Sequence, residues 1–136
     1  MNAVLYGSIF QLFVGVLANY ATRPPLQGSL GELISALNTS GPIWMVKRTY
    51  STTNHSCVYS KKVFLNGTDY EFMQYYKDNG EMIQTHLYAH LSMVNDKPNG
   101  EGAMMTVSKE KHASSGKNYL LIWWTATEHC GAVSFF

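Results

Sequence analysis

Arg48, His86, Tyr88 and His90 are the side chains of this sequence best suited to hold a ligand. Arginine and histidine beside a tyrosine hydroxyl suit a carboxylate, because charge-assisted hydrogen bonds to a carboxylate are strong and directional. Arg48 falls in mid-strand on the face of Trp44 and Val46, and His86, Tyr88 and His90 alternate on one face of a longer strand. The opposite face of that strand, Ile83, Thr85, Leu87, Ala89 and Leu91, is more apolar. If that face turns inward, the two histidines meet solvent, and pattern alone leaves both orientations open. An amine would instead need inward carboxylates, since an ammonium leaving water must be paired, and aromatic faces would add cation–π attraction. Asp78, Glu81, Asp96, Glu101 and Glu110 fall in turns or at strand ends, which leaves Glu71, with Asp69 and Glu128 near strand ends. Phe72 and Trp123 are the remaining aromatic candidates, though core packing is the commoner role for Trp123 and Trp124 alike.

Catalytic chemistry finds little support. His86 and His90 lack the glutamate of a metalloprotease helix, and on a strand they lie ~13 Å apart, too far to share one zinc. Cys57 with His55, or Cys130 with His129, has the composition of a thiol nucleophile, but adjacent residues such as His129 and Cys130 point to opposite faces of a strand, and secreted cysteines are usually bridged. No glycine-rich phosphate loop and no metal-ligand spacing occurs, so neither cofactor nor metal is expected. The net charge of +1 gives no general attraction to nucleic acid or to an anionic membrane.

These residues must be positioned by β-structure. Leu26, Leu30, Leu33, Ile34 and Leu37 have helical spacing, and Ser29 precedes Glu32 by three, a capping-box pattern. A short amphipathic helix is expected there. After Pro42 the spacing predicts seven strands: 44–49, 57–65, 70–76, 82–93, 103–108, 119–126 and one from His129 to the last residue. Asn66-Gly67, Asp78-Asn79-Gly80, 95–102 and Ser114-Ser115-Gly116 supply the turns. The expected fold is all-β, an up-and-down antiparallel meander closing into a barrel. Eight strands enclose room for one small ligand, and the eighth is expected to be missing.

The first residues are apolar and carry no charged side chain through Ala21. They read as a secretory signal peptide over 1–21, cleaved near residue 18 or 21, although a strand or helix of the mature fold is the alternative. The domain proper is then 22–136, and the product is expected to be secreted. Three N-x-Ser/Thr sequons, at Asn38, Asn54 and Asn66, become glycan sites in that setting.

Trp44-Met-Val-Lys-Arg-Thr-Tyr50, Cys57-Val-Tyr59 and Gly67 with Tyr70-Glu-Phe72 resemble the first three strands of the tick salivary lipocalins, the group that includes the histamine-binding proteins. Asn118-Tyr-Leu-Leu-Ile122 and the strand of Cys130 resemble the penultimate strands, so the likeness covers nearly the whole mature chain. It implies a lipocalin barrel, secreted in saliva, that sequesters a small host mediator and so evades host defence. The ligand would be a biogenic amine such as histamine or serotonin, or an anionic lipid such as a leukotriene or fatty acid. The resemblance also implies that Cys57 and Cys130 bridge to partners beyond Phe136, where the eighth strand and a C-terminal helix would lie. Composition alone favours a Cys57–Cys130 bond instead. Amine-binding members tend to carry an aspartate just after the second cysteine, where this chain has Gly131. A third class of role is non-enzymatic inhibition of a host clotting or complement protein.

Overall fold

The computed structural model describes residues 2–7, 28–49, 54–96 and 100–135. Both expected cleavage points, Leu26 at the expected helix start, residues 97–99 of the expected turn and Phe136 lie outside them. One helix, α1 (Leu30–Leu37), is followed by seven strands: β2 (Ile43–Arg48), β3 (His55–Asn66), β4 (Asp69–Asp78), β5 (Glu81–Asp96), β6 (Gly100–Ser108), β7 (Lys117–Thr125) and β8 (Cys130–Phe135). Each pairs antiparallel with the next, as the meander predicts.

One feature differs from expectation. An eighth strand is present, and it comes from the front of the chain. β1 (Asn2–Gly7) pairs with β2 on one side and β8 on the other, closing the barrel. Tyr6 stands opposite both Trp44 and Cys130. The physical reason is plain: β2 and β8 each present a row of unpaired backbone groups, and an apolar Ala-Val-Leu-Tyr segment satisfies both rows at once.

Local chemistry explains the other elements. Ser29 caps α1, its hydroxyl accepting from the Glu32 N–H at 3.1 Å. Asn79 and Gly80 both take positive φ between the paired Asp78 and Glu81, as a two-residue hairpin requires. The interior is built from one face of each strand. Leu33 and Leu37 of α1 pack into one cluster with Ile43, Tyr70, Phe72, Ala89, Leu91, Ala103, Met105, Leu121 and Val133. The helix thus plugs the barrel with its apolar stripe.

Gly116 lies where β7 begins beside Val107 of β6. A Cβ there would collide with the Val107 carbonyl oxygen and sit 2.8 Å from its carbon. Because the obstacle is backbone, Gly116→Ala is expected to cost ~1–3 kcal/mol. Urea unfolding would show this as a lower midpoint at unchanged slope, and a midpoint equal to the parent's would refute the steric reading.

Candidate functional site

The strand register decides which candidates face the interior. On β5, Leu87, Ala89 and Leu91 join the core, so His86, Tyr88 and His90 point outward. This corrects the orientation that would have placed them in the barrel, because the more apolar face is the one buried. On β2, Ile43 and Met45 turn inward, while Trp44 and Val46 are 37% and 53% exposed. Trp44 stacks on Tyr59 with ring centroids 4.6 Å apart, and Tyr59 on Tyr75 at 4.8 Å, forming an aromatic ladder on the outer surface. Arg48 donates from Nη2 to the His55 carbonyl at 2.7 Å, at the end of β2 rather than in the barrel.

Glu71 is on the outer face of β4, its Oε1 2.6 Å from His86 Nε2. Phe72, its neighbour, is buried and borders the interior cavity. Neighbouring tryptophans must face opposite sides of a strand, and a register shift in β7 between Leu121 and Trp123 decides that Trp124, not Trp123, joins Leu121 on the core side. Trp124 packs against the core, and Trp123 against a separate cluster of Leu120, Ile122 and Ala132. Of the eight ligand-binding candidates, therefore, only Phe72 borders the interior cavity.

That cavity measures about 110 Å³. Its lining is mostly apolar and aromatic, with Ser60, Gln74 and the tyrosines Tyr59 (which also belongs to the ladder), Tyr70 and Tyr119 as polar members and no charged side chain among the described residues. Ser60 and Gln74 are direct cross-strand partners. Tyr70 and Phe72 lie ring on ring at 5.0 Å. Tyr70 is 3% exposed, yet its hydroxyl finds no hydrogen-bond partner among the described residues. Burial alone pushes its pKa well above the ordinary tyrosine value, so the hydroxyl stays protonated and able to donate. The sequence marked this tyrosine only through the Tyr70-Glu-Phe72 resemblance, not as a ligand-binding candidate.

Cys57 is exposed and Cys130 fully buried, and both are free thiols here, not bonded to each other. Asn38, Asn54 and Asn66 are all exposed, at the end of α1, before β3 and at the β3–β4 turn. No group of three or more His, Cys, Asp or Glu is placed to hold a metal among the described residues. No helix among them is long and apolar enough to cross a membrane.

A closed antiparallel barrel, plugged by a helix and holding a small cavity with a few polar groups, is the architecture of a lipocalin-type protein. A family model described as tick histamine binding protein matches residues 24–134. The chain belongs to the tick histamine binding protein family. No curated protein and no solved structure matches it.

Proposed function

We propose that this protein is a secreted, non-enzymatic salivary lipocalin that sequesters a small host mediator of biogenic-amine size. The observation that carries this reading is the buried Tyr70 hydroxyl, without a hydrogen-bond partner among the described residues, beside a partly open cavity of about 110 Å³. A buried donor without a partner costs ~1–3 kcal/mol, which a bound acceptor would recover. Cavity size argues for a small aromatic mediator, since drug-sized ligands occupy ~300 Å³ or more. The lining holds no carboxylate to pair an ammonium, so the ring faces of Tyr70 and Phe72 would have to receive it by cation–π attraction, and Gln74 offers a second hydrogen-bonding group.

The anionic-lipid alternative has weaker support. Arg48, His86 and His90, the cations it relied on, do not border the interior cavity. Residues 1–21 act as the signal peptide in this reading, with glycans on Asn38, Asn54 and Asn66 and disulfides from Cys57 and Cys130 completing a secreted product.

Calorimetric titration with histamine, serotonin and a leukotriene tests the proposal. One amine is expected to bind with one site in the barrel, and the leukotriene is not. Tyr70→Phe and Gln74→Leu are each expected to weaken that amine by about tenfold. Failure of both amines would refute the reading and shift weight to inhibition of a host clotting or complement protein.

A further inference from the structure

A row of aromatic rings crosses the outer surface of the barrel. Trp44 of β2, Tyr59 of β3 and Tyr75 of β4 are successive cross-strand partners, so one line runs over three strands. Partners of this kind hold their Cβ atoms ~5 Å apart. The rings follow: centroids are 4.6 Å apart between Trp44 and Tyr59, and 4.8 Å between Tyr59 and Tyr75. The last two rings are nearly parallel, at 11°. Trp44 is exposed, and both tyrosines are partly exposed.

Direct contact between two phenols is the unusual part. Tyr70, Tyr88 and Tyr119 stack or tilt against Phe72, His86 and Phe135, and Tyr76 against His55. Among the described residues, Tyr59 and Tyr75 are the one pair of tyrosine rings in contact.

Indole and phenol are among the side chains most easily oxidised by one electron. An electron taken from the exposed Trp44 indole can be replaced from Tyr59, whose phenol releases its proton to water. A second removal leaves Tyr75 in the same state, so two phenoxyl radicals lie in contact. They join by one carbon–carbon bond, ortho to each oxygen. The two ortho hydrogens then move to the phenol oxygens, which restores both O–H groups. The balance is one C–C bond made, two ring C–H bonds broken, two electrons passed to the oxidant and two protons to water.

We propose that Tyr59 and Tyr75 form an oxidative modification site, where an external one-electron oxidant, such as the oxidised haem of a peroxidase, links β3 to β4 through a dityrosine bond. Trp44 is the exposed entry point for the oxidising equivalents. The link would fall where pairing is weakest, since the β3–β4 register shifts between Ser56 and Tyr59. The hairpin turns at Gly67, so the bond would close a loop over residues 59–75 and restrict the unfolded chain. The proposal is independent of what the cavity binds, although Tyr59 also borders the cavity.

The test treats the full chain with a haem peroxidase and limiting hydrogen peroxide. Cys57 is first capped with iodoacetamide, because an exposed thiol would consume the radicals. Peptide mass mapping of the monomer fraction is expected to find one link, between the peptides of Tyr59 and Tyr75, lighter by two hydrogens. Linked chains are expected to melt several degrees above untreated ones. Tyr75→Phe keeps the ring and the parent's melting curve but is expected to abolish the link. Trp44→Phe keeps a ring that is harder to oxidise, and is expected to slow linking several-fold. Links spread over other tyrosines, links only between separate chains, or oxygen added to Trp44 without any link would each overturn the proposal. An unchanged linking rate in Trp44→Phe would overturn the role of the indole as entry point.

Discussion

A Leu91→Ala chain is expected to melt roughly 10–20 °C below the parent. Leu91 is fully buried, one of the largest side chains with no exposure at all, and it sits mid-barrel on β5. Its partners on the neighbouring strand and helix include Met105 of β6, directly opposite, and the common core cluster. Truncation removes about three heavy atoms' worth of burial and leaves a void that a closed sheet cannot collapse to fill. Large-to-small changes of this kind cost ~2–5 kcal/mol, a large share of the ~5–15 kcal/mol that holds a domain of this size together. Calorimetry or a circular-dichroism melt checks it. A loss under about 3 °C would mean that the barrel is looser around β5 than its packing indicates.

The second large effect concerns β1. A chain that starts at Thr22 lacks the strand that joins β8 to β2. Two edges would then open at once, each with a row of unpaired N–H and C=O groups, the usual template for edge-to-edge association. Such a chain is expected to run as a dimer or larger species in light-scattering chromatography, with a broad melt. A sharp-melting monomer would show that β1 contributes little to closure. The experiment also bears on processing. The residues of β1 fall within the expected signal peptide, so a molecule that loses that peptide cannot keep this closure. Intact-mass measurement of protein from a secreting cell would show which form is made.

The architecture was readable because its signals are local. Two-residue alternation marked seven strands, Asn79-Gly80 marked a hairpin, and Ser29 with Glu32 marked the helix start. The helix itself begins at Leu30, where the cap places it. The site was far less readable, for a physical reason. Alternation says that two faces differ, but only register with distant strands says which one is inside. On β4 the candidates Glu71 and Phe72 are adjacent, so just one of them can face the interior. On β5 the more apolar face won, and the polar set of His86, Tyr88 and His90 went outward. Both faces of β7 are apolar, and there a register shift that no spacing rule contains decided which tryptophan faces the core. Closure by β1 was hidden differently: an apolar N-terminal run has the same composition as a strand and as a signal peptide.

That register shift in β7 has an optical consequence. Trp124 borders the core beneath α1, Trp123 belongs to the opposite side of the sheet, and Trp44 lies on the outer aromatic ladder. The protein therefore carries three intrinsic fluorophores in three different surroundings. Emission from a chain retaining Trp124 alone would follow the barrel's interior, and emission from one retaining Trp44 alone would follow its surface. Changes in the packed interior and at the aromatic outer surface could then be followed separately, by colour, without attaching a dye.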